Sequence, residues 1–180
     1  MNSLRIEKDF EFQAALHFAG EFWINSYAIT LSMIVETESE HEQNIAVERI
    51  TYYINNVLQN SMLIASDDVE AITKYANAGL RICELPAEPY DQLFASVLML
   101  KLNSIMEERL RITDMVLSST MSEGIRYSIV FEVAENSYSR NHWWNKSCTS
   151  IKDEDIGDNI VRLFDNNEWV DLGLSWNETV

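Results

Sequence analysis

Glycine and proline are scarce in this chain of 180 residues, at 5 and 2. Neither G-x-G-x-x-G nor G-x-x-x-x-G-K occurs, so no glycine-rich loop can cradle a phosphate. The G-x-S-x-G turn of serine hydrolases is missing too. So few chain breakers also exclude long flexible linkers. Two cysteines, Cys83 and Cys148, are too few for a disulfide framework. Cys83 lies in the apolar run Leu80-Arg81-Ile82-Cys83, where a small buried thiol is expected. His17, His41 and His142 stand far apart without the spacing of zinc ligands. No apolar run reaches membrane-spanning length. The start, Met1-Asn2-Ser3-Leu4-Arg5, runs into charge rather than into a leader, so a cytoplasmic protein is expected.

Positive charge is the other deficit. The 13 basic residues face 29 acidic ones, a net charge of −16. A surface of that sign repels phosphate, which disfavours direct contact with nucleic acid or an anionic membrane. It steers instead toward basic partners. The carboxylates gather locally, at Glu36/Glu38/Glu40/Glu42 and Asp153/Glu154/Asp155/Asp158. A solvated acidic surface is the plain reading, and nucleic-acid mimicry is the sharper one.

Hydrophobic residues, 47% of the chain, are abundant enough for a real core. Their periodicity predicts an α+β domain: a mixed, mostly antiparallel sheet with two or three helices on one face. Residues 1–22 fit two templates. Phe10, Phe12, Ala14 and Leu16 alternate like a strand, and Phe10, Ala14, Ala15, Phe18, Ala19 and Phe22 fit a helical stripe. Residues 23–36 read as a half-buried strand with Tyr27, Ile29, Leu31, Met33 and Val35 inward. Ser39-Glu40-His41-Glu42 is a capping box, with a helix stripe of Ala46, Ile50, Tyr53, Ile54, Val57 and Leu58 beyond it. A short strand is expected at Ser61–Ala65. A helix capped by Asp67 or Asp68 and stopped by Gly79 should follow, then a strand at Leu80–Leu85. From Tyr90 to Glu107 apolar residues occupy nearly every face, so that helix must be covered on several sides. Leu110–Ser119 and Ile125–Ala134 form a hairpin around Thr120-Met121-Ser122-Glu123-Gly124.

The domain is expected to span residues 1–135. A Trp-bearing extension over 136–180, packed on that core, completes the chain, with a last strand pair at Ile160–Phe164 and Trp169–Leu174. A homodimer is expected, because the all-round apolar helix, Ile34 and Val130 offer more hydrophobic surface than one small sheet can hide.

Three groups of residues could carry function. His142, Trp143 and Trp144 are the candidate partner-binding residues, since exposed Trp is enriched at binding hot spots. The alternative is that the tryptophans pack the extension onto the sheet. Asp153, Asp155 and Asp158 around Gly157 could hold a hard cation, although their spacing is not that of a calcium-binding loop. Asp91 and Gln92 either cap the apolar helix or line a pocket with Lys101 and Asn103. No catalytic residue and no cofactor is assigned.

Five stretches stand out: Glu36-Thr37-Glu38, Glu42-Gln43-Asn44-Ile45-Ala46-Val47-Glu48-Arg49-Ile50, Ile82-Cys83-Glu84-Leu85-Pro86-Ala87-Glu88-Pro89-Tyr90-Asp91-Gln92, Lys101-Leu102-Asn103-Ser104-Ile105-Met106-Glu107 and the ending Asn167-Glu168-Trp169-Val170-Asp171-Leu172-Gly173-Leu174-Ser175-Trp176. They resemble uncharacterised proteins encoded by marine contractile-tailed bacteriophages. The resemblance implies a viral origin and brings no site or activity with it. The expected function is therefore a non-enzymatic interaction protein, an accessory or assembly factor binding a basic host or viral protein in the host cytoplasm or in the virion. A small metal-dependent hydrolase or nuclease using the 153–158 cluster is the alternative.

Overall fold

The computed structural model describes residues 4–138 and 141–153. The N-terminal ambiguity resolves as a strand. β1 (Arg5–Phe18) and β2 (Glu21–Val35) form one long antiparallel hairpin, in register from Arg5↔Ile34 to Phe18↔Glu21. Its two-residue turn, Ala19-Gly20, has positive φ at both positions (52° and 80°), the turn whose twist suits a hairpin. Period-two pairing wins because β2 supplies each inward residue of β1 with a neighbour. Phe12, for example, stacks on Tyr27 at 5.2 Å.

The sheet has six strands in the order β4-β3-β1-β2-β5-β6. β3 (Met62–Ala65) and β4 (Ile82–Leu85) run parallel to β1 and to each other. β5 (Leu110–Ser119) and β6 (Arg126–Val130) continue the antiparallel half beyond β2. Three helices cover one face: α1 (Glu40–Tyr52), α3 (Asp91–Met106) and α4 (Phe131–Ser137). α2 (Val69–Asn77) packs on the opposite face, over Met62, Ile64 and Ile82, and forms a small second core. The α+β architecture read from the periodicity is the one observed.

Several details differ. β6 ends at Val130, and Phe131–Ser137 is helical rather than strand. Phe131 and Ala134, three residues apart, both turn inward there, while Val133 is exposed. Only half of the capping box forms. Ser39 Oγ accepts from the Glu42 amide at 3.4 Å, but the Glu42 carboxylate pairs with Arg109 instead of returning to Ser39. A carboxylate gains more from a guanidinium, which is charged as well, than from a neutral amide.

α3 is covered on several sides, as its all-round apolar pattern requires. It is buried from Phe94 through Leu102 and at Ile105 and Met106. Its cover is the sheet on one side, with α1, α4 and a 3₁₀ turn at Trp143–Asn145 on the others. One chain supplies all of it. The apolar excess of this helix therefore gives no reason for a second subunit.

Candidate functional site

At one end of the sheet the β1–β2 hairpin overruns the helix layer. α3 begins only at Asp91, so the inward-facing positions nearest the turn have no helix above them. Tyr27 is 2% exposed, whereas Trp23, on the same side of the same strand, is 43% exposed. Tyr90, Met121 and Ile125 are exposed at this end too, with Phe22 and Ile24 on the reverse side of β2. An apolar patch containing Trp, Tyr and Met has the composition of interface hot spots.

Beside this patch lies a cavity of about 310 Å³, lined among others by Phe18, Asn25, Tyr90, Asp91, Met121 and Tyr127. Phe18 and Tyr90 meet edge to face with ring centroids 5.0 Å apart. Local hydrogen bonds set the rest. Asn25 Oδ1 accepts from Thr120 Oγ1 at 2.7 Å and from the Met121 amide at 3.1 Å, which holds the β5–β6 turn against β2. Asp91 does not cap α3, where Tyr90 occupies the cap position. Instead Asp91 Oδ2 accepts from Ser119 Oγ at 2.6 Å.

Burial holds the Asp91 carboxyl above the usual carboxylate range, against the pull of the Ser119 and Ser122 hydroxyls. Among the described residues no basic side chain pairs with it. A raised folded-state pKa makes a stabilising contribution at low pH that is lost as pH rises through that pKa. At neutral pH the charge is therefore a net cost to folding. Asp91→Asn keeps an oxygen for Ser119 and removes the charge. It is expected to raise the urea midpoint with no change in the slope of the transition.

The sequence-derived candidates lie elsewhere. Trp143 and Trp144 fall in the 3₁₀ turn and are both buried, so neither offers a surface to a partner in this conformation. Both indoles belong to the main core. Trp143 Nε1 donates to the Glu84 carbonyl at 2.8 Å. His142 is the more open member of the trio. It stacks on Trp144 at 4.4 Å, with Nδ1 2.5 Å from Asp153 Oδ2. Asp153 Oδ1 accepts from the Trp143 amide at 3.0 Å. Both oxygens of Asp153 thus fasten this turn. Asp155, Asp158 and the expected strand pair at 160–174 lie outside the described residues. Among the described residues no three acidic, His or Cys side chains gather as a metal site would require.

Lys101 does not share a pocket with Asp91. Ten residues of helix separate them by about 15 Å. Lys101 is wholly buried, its Nζ donating to the carbonyls of Trp143 (3.0 Å) and Lys146 (2.8 Å). The rings of Tyr53 and Trp143 lie 5.7 and 5.6 Å away. Burial brings its ammonium down to about 7, with Lys146 adding to that fall and Cys148 and Cys83 opposing it. Such a pKa suits a nucleophilic lysine, but a substrate cannot reach an amine with no exposed surface. Cys83 is sealed in the same way, and burial pushes its thiol up, leaving it inert.

A larger cavity of about 730 Å³ lies at the other end of α3. Several of its polar groups are already committed: Arg111 pairs with Glu36 at 2.8 Å, and Asn103 Oδ1 accepts from the Ile112 amide at 2.8 Å.

The Trp23 patch had one signal in the sequence. Phe22-Trp23-Ile24 places three large apolar residues in a row at a strand end, and burying all three would need cover on both faces of the sheet there.

No protein-family model matches the chain, and no curated protein matches it. Similar solved structures include the uncharacterised protein WS1659 from Wolinella succinogenes, with a TM-score of 0.53 and 11% identity, covering 71% of this chain and 97% of that one. Another is a catalytic-residue mutant of 6-pyruvoyltetrahydropterin synthase from Plasmodium vivax, with a TM-score of 0.44 and 9% identity, covering 70% of this chain and 97% of that one. The likeness to WS1659 is one of fold alone.

Proposed function

We propose that this chain is a non-enzymatic interaction protein that captures a basic protein through the open end of the β1–β2 hairpin. In this reading it is an accessory or assembly factor of a marine contractile-tailed phage, acting in the host cytoplasm. The observation that carries the proposal is the exposed Trp23, Tyr90 and Met121 beside a carboxylate that no basic group neutralises among the described residues. Aromatic anchors supply contact energy, and the charge of −16 steers a basic partner toward them.

Comparing the tagged wild-type chain with Trp23→Ala, both expressed in infected host cells, tests this. The expected result is a basic protein recovered with wild type and reduced by more than about tenfold with the variant, as for a hot-spot aromatic. Recovering the same protein equally with both would sink the proposal, and so would recovering none.

Mimicry of nucleic acid has one observation in its favour. Glu7, Asp9 and Glu11 form an exposed row on alternate positions of β1, about 7 Å apart. Thr30 and Ser32 hydrogen-bond into that row. A duplex presents two such rows.

A further inference from the structure

We propose that the cavity at the start of α3 receives one lysine side chain of the partner, its ammonium on Asp91 and its stem against Phe18, Tyr90 and Tyr127. The inference rests on the reading of this end as the contact surface, and it names the group that enters.

Asp91 supplies the first reason. A half-buried carboxylate normally has a cation beside it, and this one has serine hydroxyls. The walls supply the second. Phe18, Tyr90 and Tyr127 offer aromatic surface to a positive charge, and Met121 offers a flexible cover for methylenes. Size is the third. About 310 Å³ suits one extended side chain and sits at the small end of ligand sites. The choice of lysine over arginine follows from Oδ2. The Ser119 hydroxyl on that oxygen crowds one side of the carboxylate, which favours a single ammonium contact over the two parallel bonds of a guanidinium fork. The acidic chain as a whole concentrates cations at its surface and repels anionic ligands.

The test is a two-dimensional amide NMR titration of the full chain with Nα-acetyl-lysine N-methylamide. Saturable shifts are expected at the backbone amides of Asp91, Ser119 and Ser122, with a dissociation constant of about millimolar order. The Nε-acetylated compound should give none. Asp91→Asn should weaken binding about tenfold, and Tyr90→Leu should weaken it measurably. Tyr90 is exposed, so its variant reports on the pocket even if Asp91→Asn disturbs the fold. Shifts that fail to saturate, or an equal response to the Nε-acetylated compound, would overturn the assignment. An equal response to leucine amide, which offers only an α-amine, would overturn it as well.

The two proposals fail separately. Lysine binding with no Trp23-dependent partner leaves the pocket assigned and removes the proposed function. A partner that needs Trp23 but is indifferent to Asp91→Asn does the reverse.

Discussion

Lys101→Ala is expected to lower the unfolding free energy by roughly 3 kcal/mol, as the balance of three effects. Truncating a long buried side chain leaves a cavity, at about 2–5 kcal/mol. It also strands the carbonyls of Trp143 and Lys146, at about 1–3 kcal/mol each. Against these stands relief from burying an ammonium. A pKa brought down to about 7 corresponds to a cost of roughly 5 kcal/mol relative to a solvated lysine. Lys101→Met separates the effects. It refills the volume and removes the charge but leaves both carbonyls unpaired, so it should fall much closer to wild type. Chemical denaturation of the two variants checks the order. A methionine variant as damaged as the alanine one would show that the ammonium itself is indispensable.

The same residue sets a pH dependence. The folded-state pKa lies below the unfolded value, so between them the unfolded chain binds more protons, and stability rises with pH. The rise should begin near pH 7. It should be opposed at higher pH, where the buried Cys83 thiol and the Tyr53 and Tyr27 phenols, all pushed up by burial, resist ionising in the fold. The neutral amine still has two N–H groups for its two carbonyls, so titration should leave the local structure intact. Lys101→Met should abolish the rise.

Trp143→Ala should be at least as severe, at about 3–5 kcal/mol. The indole is 2% exposed, packs edge to face on Trp144, and donates to Glu84. Trp143→Phe keeps most of the volume and orphans the Glu84 carbonyl, at a cost of about 1–2 kcal/mol. Hydrogen exchange should show the 142–153 segment losing protection before the sheet does in the alanine variant. Uniform loss across the sheet would mean that this segment is integral to the global folding unit.

The parts of the fold that were legible are those with one dominant period. β2 shows its inward set from Tyr27 to Val35, and α3 shows its all-round burial. β1 fitted strand and helix templates equally, and the deciding factor was a partner strand that no local window contains. α4 hides in the sequence because Phe131 and Val133 continue the alternation of β6, while the inward spacing of Phe131 and Ala134 emerges only against α3. Two consecutive tryptophans on an extended segment would point to opposite sides. A 3₁₀ turn separates successive side chains by about 120°, so both rings can face inward. Lys101 did carry a hint. A single cation between Leu100 and Leu102, on a helix apolar all round, has no solvent to reach.

The two lateral borders of the sheet are unequal. Along β4 the Glu84 amide donates to the Ile151 carbonyl at 2.9 Å, and the Glu84 carbonyl is taken by Trp143, so that border is shielded. Among the described residues no strand lies beyond β6, where Val130 is exposed. Strand-by-strand accretion on the described residues thus has a single docking rim available. Two molecules joined rim to rim would present only shielded flanks outward, so growth would halt at a closed pair instead of propagating into a fibre.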